Sequence, residues 1–475
     1  VTEWKHADPV QVRWSAEILR TLEKAGHVAC WVGGCVRDEL IGRPVNDMDI
    51  ATSARPEEVA ALFPRTVPTG IEHGTMTVVM EKIPFEVTTF RTESEYKDFR
   101  RPEEVTFVRS LDEDLRRRDF TMNAIARKLD GTYIDPYGGR ADLERGIIRC
   151  VGEARERFQE DALRMVRGVR FASVFGFEME SGTWEALLEL RGNMPHIAAE
   201  RIRAELEKML GSSRPAEGVR MLERSALLAE AKIRLEPQAL AAAHPERLDR
   251  LPAKPDELRW TALLQGLGIS GDEAEALLKS WTFSGGFAKS AAALLRMDAR
   301  MNAAYEVQEV ERAAGKAGEG GSGTPGVSVV QLGGAKAPHG TVQPMRRPDH
   351  AASQSEGELR LVFARCVLDF GRGTAENWLT YRSGLYGADE AETARLTRAA
   401  QWLAAIPADS PRELALGGGE IAEQVNRAPG PWLGLLIRRL LEGAATGRVA
   451  NERAALLEEI ARLEAQPDVK EAKPE

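Results

Sequence analysis

The sequence predicts an α+β amino-terminal domain followed by an all-α remainder, and three observations carry that reading. Short runs rich in valine, threonine and phenylalanine crowd the residues before about Val151, separated by glycine and proline turns. Beyond Val151 strand signals nearly vanish, and apolar residues recur three and four apart. Between about Ala313 and Gly357, glycine, serine, proline and alanine dominate and large apolar residues are few. Such a stretch cannot bury enough surface to offset its ordering entropy, so it is expected to be a disordered insertion.

Taken in order, Val10, Trp14, Ile18, Leu19 and Leu22 fall at helical spacing, with Gly26 as the stop. HVACWV then reads as a strand that ends in a turn at Gly33 and Gly34. A short helix, CVRDELIG, follows, and DMDIAT returns as a strand. Pro56 to Leu62 is expected as a helix with proline in its first turn. GTMTVVMEK and PFEVTTFR read as neighbouring strands. In the helical part, helices are expected over Ala154 to Phe177, His196 to Leu210, Ala216 to Glu230, Glu257 to Leu267, Asp272 to Trp281 and Ala288 to Glu311. Helical patterning resumes at Leu359 and runs through Trp402; a last unit, Pro411 to Leu463, ends in a long helix starting near Asn451. No internal repeat is visible.

A chain of 475 residues should hold several domains. Its 43% hydrophobic and 29% charged residues describe a soluble globular protein. The most apolar late segment, Trp432 to Leu441, is interrupted by Arg438 and Arg439, so no membrane span is expected. The start of the sequence lacks a basic and then apolar signal pattern, and the expected location is the cytoplasm. Cys30, Cys35, Cys150 and Cys366 form no paired CxxC and are expected to be buried free thiols. A net charge of -9 argues against nonspecific coating of nucleic acid but leaves room for a local basic groove. Arginines cluster at Arg116 to Arg118 and again at Arg164, Arg167 and Arg170.

The chemistry begins at GGCVRDELIGRPVNDMD, Gly33 to Asp49. In an extended chain Asp47 and Asp49 share one face while Met48 and Ile50 take the other. Two carboxylates about 4 Å apart repel by roughly 4 kcal/mol at an effective dielectric near 20, so such a pair calls for a cation, and a divalent metal supplies it. A solvated turn would read the same. The glycine pair lets backbone N–H groups approach a triphosphate at a helix start. In PFEVTTFR, Phe85 and Val87 point inward and leave Glu86 on the other face with Thr88, a third acid beside the pair. Three carboxylates on adjacent strands suit two-metal phosphoryl transfer.

Two further clusters follow. In RRRDFTMNAIA, a helix would put Asp119 and Asn123 on one face, either as a ribose and phosphate contact set or as a solvated charge run. In EDALRMVRGVRFAS, a helix would put Asp161, Arg164 and Arg167 on one face, either to meet a ligand or as a structural ion pair.

GGCVRD, DMD, EVTTFR, RRDFTMNA, DPYGGRADLERGIIRCVG, EDALRMVRGVRFA and ERIRAELEKML together resemble the ordered motifs of the class II tRNA nucleotidyltransferases and bacterial poly(A) polymerases, densely over about residues 30 to 210. PGPWLG and VANERAALLEEI resemble the tail of the Gram-positive type CCA-adding enzymes. The resemblance implies a polymerase β-like nucleotidyltransferase head (1–150), a helical neck (151–215), a helical body (216–312 and 358–405) around the insertion (313–357), and a helical tail (406–475). It implies addition of CMP, CMP and AMP to the 3′ end of tRNA from CTP and ATP without a template, with Mg2+ as cofactor. Its metal-binding pair falls on Asp47 and Asp49, and its third acid on Glu86. The nucleotide-binding set falls on Gly33, Gly34, Arg37, Arg118, Asp119, Asn123, Asp161, Arg164, Arg167 and Arg170. Within it Arg118, Asp119 and Asn123 select ribose, Glu160, Asp161 and Arg164 read the base, and Arg37 either touches phosphate or braces the turn.

Base chemistry agrees with that assignment. Cytosine and adenine both present an amino donor beside an acceptor nitrogen, the pattern a carboxylate plus a guanidinium accepts; uracil and guanine present the opposite. YKDFRRPEEVTFVRSLDEDL resembles the flexible loop of complete CCA-adding enzymes, including Asp98, Arg100, Arg101 and Pro102. GIEHGTMTVV resembles the CCA-adding branch, and no HD phosphohydrolase signature is present. The alternatives are a partial CC-adding or A-adding enzyme, a poly(A) polymerase, a noncatalytic RNA-binding protein, or a glycosyltransferase using its DxD. The sequence does not fix an oligomeric state.

Overall fold

Strand β1 (Ala29–Val32) is buried along its whole length and ends where Gly33 turns the chain into helix α2 (Gly34–Leu40). In front of it lies helix α1 (Pro9–Lys24), capped by Asp8, whose carboxylate accepts the Val10 N–H at 2.7 Å. After α2 the chain returns as β2 (Ile50–Thr52), then α3 (Pro56–Leu62), β3 (Thr66–Gly70), β4 (Thr75–Met80) and β5 (Ile83–Thr89). The computed structural model describes residues 3–93, 96–97, 101–102, 105–318 and 348–465.

These strands form one mixed sheet in the order Tyr133–Ile134, Ala126–Arg127, β1, β2, β5, β4, β3. β1 runs antiparallel to β2 with Trp31 opposite Ile50, while β2 and β5 are parallel with Ile50 opposite Val87. Beneath it Cys30, Ala51, Phe90, Leu115, Ala126 and Val151 close a buried core. β3 was not legible as a separate strand because it is short and mostly exposed, and the strands from Arg91 onward because each spans only two or three residues.

The chain divides into two units, Val1–Gly268 with Leu277–Phe283 and Ile269–Ala276 with Ser284–Glu475. The first holds the sheet and then the helices α4 (Leu111–Arg116), α5 (Gly139–Arg145), α6 (Ala154–Glu160), α7 (Leu163–Phe175), α8 (Ser181–Leu190), α9 (Ala199–Leu210) and α10 (Pro215–Ser225) among others. The second is helical throughout its described residues, and its late helices pack Ile421, Trp432, Leu436, Leu440, Leu456 and Ile460 into one core. The fold class is therefore the expected one, an α+β head followed by helices. All four cysteines are buried and free, as expected.

Four local expectations change. The DMDIAT strand begins only at Ile50, so Asp47 and Asp49 precede it. The helix expected over Ala154 to Phe177 is broken at Asp161, which takes an extended conformation (φ -143°, ψ 104°). Its carboxylate accepts the Leu163 N–H at 3.1 Å and so opens α7, the role for which aspartate is suited at a helix start. Asp119 to Asn123 is not α-helical; Thr121–Asn123 form a single 3-10 turn. The glycine-rich stretch is entered by helix from both ends, through Gly285–Gly318 and Pro348–Phe370, and 319–347 lie outside the described residues. Asp98 and Arg100 also lie outside them, whereas Arg101–Pro102 pair with Tyr96–Lys97. No helix among the described residues is long and apolar enough to cross a membrane.

Candidate active site

Gly33 sits at φ +71°, a conformation that strains any residue with a side chain, and a Cβ there would lie 2.9 Å from Arg118 Nη1. The turn is thus both a backbone requirement and a close approach. Next to it, the Asp49 carbonyl accepts the Val32 N–H at 3.1 Å, which clamps the segment before β2 onto β1. The alternation read from the sequence holds in this extended segment: Met48 and Ile50 are buried, Asp47 is exposed and Asp49 is half-buried. Ile50 pairs with Val87 in parallel register, and Asp49 and Glu86 each come one residue before that pair, close enough for Glu86 to act on the Asp49 carboxyl. Phe85 and Val87 are buried and Glu86 is exposed.

Burial, the neighbouring Glu86 and then Asp47 push the Asp49 carboxyl up to about 6, against the opposing pull of Arg118 and Arg37. The protein's own cations therefore do not neutralise this acidic corner. Its all-oxygen donors and uncompensated repulsion suit a hard divalent cation. Among the described residues no three His, Cys, Asp or Glu side chains converge as a ready-made ligand set, so Glu86 is a neighbour of the pair rather than a third member of a formed cage.

The acidic corner opens into a cleft of about 710 Å³ whose walls are basic. Arg37, Arg91, Arg117 and Arg118 line it from the head, and Arg164, Arg167, Arg170 and Arg201 from α7 and α9. Gly33, Gly34, Asp49, Asp119, Asn123 and Asp161 are also on its walls. Of the residues expected to bind the nucleotide, all but Glu160 are thus gathered at one cavity, together with Asp49 of the acidic trio; Asp47 and Glu86 are not among its lining residues.

At the Arg118 to Asn123 turn, Asp119 is 7% exposed and fully engaged. Its Oδ1 accepts the Phe120 N–H at 2.8 Å and Asn123 Nδ2 at 2.9 Å; its Oδ2 accepts Arg167 Nε at 2.8 Å and Nη2 at 2.6 Å. Burial raises this carboxyl, but Arg167, the Asn123 amide and Arg164 outweigh burial and hold it well below the usual carboxylate range. The facing of Asp119 and Asn123 is achieved, by a 3-10 turn instead of a helix. Arg37 braces this turn: Nη1 donates to Asn123 Oδ1 at 2.6 Å, Nε donates to Asp38 at 2.9 Å, and the guanidinium lies 4.8 Å from the Phe175 ring centroid.

On the helical wall, Arg164 pairs with Glu160 and also donates to the carbonyls of Arg117 at 2.9 Å and Arg157 at 3.1 Å. Asp161 is held by Arg201 through bonds of 2.7 Å and 3.3 Å. Since Asp161 precedes α7, it does not share one helix face with Arg164 and Arg167; the break aims it at the same cleft instead. Arg170 pairs with the buried Glu205 and stacks 3.8 Å from the Phe171 centroid. Sequence reasoning missed His73, Arg91, Phe171 and Arg201 on the walls, whereas Arg117 belongs to the arginine cluster it had marked. All four lie inside segments the motifs had marked, GIEHGTMTVV, EVTTFR, EDALRMVRGVRFA and ERIRAELEKML, but no spacing rule singles them out.

Comparison with known proteins defines the class. A family profile described as the Poly A polymerase head domain matches residues 29–149, and one described as a probable RNA and SrmB-binding site of polymerase A matches 176–231. The CCA-adding enzyme of Lactiplantibacillus plantarum is 35% identical over 456 residues, covering 95% of this chain and 96% of that one. That of Geobacillus stearothermophilus is 46% identical over 286 residues, 58% of this chain and 68% of that one. A crystal structure of the Bacillus stearothermophilus CCA-adding enzyme in complex with CTP superposes with a TM-score of 0.74 at 32% identity, covering 98% of this chain and all of that one. The chain belongs to the CCA-adding enzyme family and is a nucleotidyltransferase.

Proposed function

We propose that this protein adds CMP, CMP and AMP to the 3′ end of tRNA, taking CTP and ATP without a nucleic acid template and releasing pyrophosphate. The observation that carries the reading is the cleft itself, which joins an unneutralised acidic corner at Asp49 to eight arginines, Arg164 among them, and to Asp161. Asp47 and Asp49 are the groups that would hold Mg2+, with Glu86 beside them. Bound there, the metal would supply activation of the terminal ribose hydroxyl and charge stabilisation for the leaving pyrophosphate.

The chain's own residues do the rest. The Gly33–Gly34 turn lets the triphosphate come close to backbone N–H groups, and the arginine walls balance its charge. The Arg118 to Asn123 turn meets the ribose. Asp161 accepts from the amino group of cytosine or adenine while Arg164 donates to the adjacent ring nitrogen, a pairing that uracil and guanine oppose. Arg201 and Glu160 hold these two side chains in place. Action on tRNA fits a cytoplasmic protein.

The direct test is incubation with tRNA lacking its last three nucleotides, with CTP and ATP together and each omitted in turn, followed by sequencing of the 3′ ends. Products ending in CCA are expected only when both nucleotides are present. Products that stop at CC with both nucleotides present, or long adenosine tails, would overturn the proposal.

A further inference from the structure

Behind the cleft, α4 carries an acid that no motif singled out. The Asp114 side chain is 1% exposed, yet it meets donors from three residues of the cleft wall. Its Oδ1 accepts Arg117 Nε at 3.0 Å and Nη2 at 2.8 Å, and the Arg91 backbone N–H at 3.4 Å. Its Oδ2 accepts Arg118 Nη2 at 3.2 Å. The neighbouring Leu115 is fully buried and anchors α4 in the core beneath the sheet.

Arg118 is the consequential partner. One branch of its fork is fixed by Asp114, and the other, Nη1, donates to the Asn123 carbonyl at 3.3 Å. With both branches held, the planar guanidinium has one orientation, and charge-assisted bonds of this kind are strongly directional. The same Nη1 lies beneath Gly33, so the glycine turn and the arginine set each other's position. Arg118 Nε is itself buried and makes no hydrogen bond among the described residues, so the guanidinium can meet a ligand only through its two Nη groups. Asp119 differs: a carboxylate offers about four acceptor sites, and Asp119 already accepts four bonds. Arg118, whose side chain is 18% exposed and lines the cleft, keeps a second N–H on each Nη to offer a ribose hydroxyl at this turn.

We propose that Asp114 is a positioning residue for nucleotide selection: by fixing Arg118, with Arg117 beside it, the buried carboxylate sets the preference for ribonucleotides over deoxyribonucleotides. This rests on the nucleotidyltransfer reading of the same cleft. A site built to hydrogen-bond a hydroxyl discriminates against the analogue lacking it because its polar group is then left unpaired, and that discrimination requires the donor to stay where it is.

The experiment compares CTP with 2′-deoxy-CTP on tRNA lacking its last three nucleotides, using the full chain, Asp114→Asn, Asp114→Glu and Arg118→Lys. The ratio of kcat/KM for the two nucleotides, taken within one variant, does not depend on the fraction folded. Asp114→Asn keeps the shape and removes the charge; the CTP preference should fall about tenfold, with KM for CTP rising more than kcat falls. Asp114→Glu keeps the charge one methylene further out and should lose less. Arg118→Lys should lose at least as much as Asp114→Asn. A wild-type ratio in both Asp114 variants overturns the proposal, and if Asp114→Asn does not fold, Asp114→Glu decides by the same criterion. If the unmodified protein transfers neither nucleotide, the reading of the cleft fails instead.

Discussion

Two buried charge networks in this molecule look alike in composition and differ in completion. In the carboxy-terminal unit, Arg382 donates to Glu392 at 2.7 Å, to Asn302 at 2.6 Å and to Asp298 at 3.2 Å. Trp378 Nε1 and Asn302 Nδ2 donate to the two oxygens of Asp298, each at 3.0 Å. The side chains of Asp298, Glu392 and Arg382 are 1%, 5% and 8% exposed, and every carboxylate among them has cationic or neutral donors around it. In the amino-terminal unit, Asp119 and Asp114 are completed in the same manner, but Asp49 is not: after burial itself, its strongest neighbour is another carboxylate, Glu86. A charge whose partners are all present is scaffold. A charge whose strongest neighbour has the same sign marks a place built for something else to bind.

The sharpest way to break this comparison is at Asp49. Asp49→Ala should lower nucleotide transfer by about a thousandfold, the loss of several kcal/mol of charge stabilisation in the transition state. Its effect on stability should have the opposite sign. A carboxyl raised by folding is a stabilising group only while protonated, so its contribution is lost as pH rises through about 6. At pH 7, with chelator present, Asp49→Asn should therefore melt at or above the parent temperature. A calorimetric scan that shows the variant melting well below the parent would make Asp49 scaffold like the rest.

The completed network should behave in reverse. Asp298→Ala leaves Arg382 buried without its carboxylate and should cost about 3–5 kcal/mol. The urea midpoint, followed by the fluorescence of Trp378 and the other tryptophans, reports it. Transfer activity per folded molecule, measured at low temperature, should stay near the parent value. A variant with unchanged stability and lost activity would move this network from scaffold to site.

How much of this was legible beforehand follows from how locally each feature is encoded. The Asp47, Met48, Asp49, Ile50 alternation and the Phe85, Glu86, Val87 alternation need only a few residues of extended chain, and both hold in the structure. The break at Asp161 was not legible, because Leu163, Met165, Val166 and Val169 are all buried and continue the helical periodicity past it. Only the tertiary pull of Arg201, 40 residues away, and the capping of Leu163 explain why the chain opens there. Asp114 was invisible for a related reason. In LDEDLRRRD it is one of several acids beside several arginines, and only burial separates it from its solvated neighbours. Residues that act by what they touch across the fold leave little trace in spacing.

The smallest expected effect probes the completed end of the cleft. Asp119→Asn keeps the shape of the turn but removes the charge that Arg167 binds, and should cost about 2 kcal/mol at neutral pH, in the range of hydrogen bonds to charged groups. The pH dependence gives the sign. Folding lowers the Asp119 carboxyl below its ordinary value, so its stabilisation is fully present above about pH 4 and is lost as pH falls further towards the folded-state value. The gap between parent and Asp119→Asn in urea midpoint should therefore be constant from pH 7 down to about 5 and close progressively below about 4. A gap that persists unchanged into acid would mean that the loss comes from packing of the amide and not from the charge, and that Asp119 is held to Arg167 for shape alone.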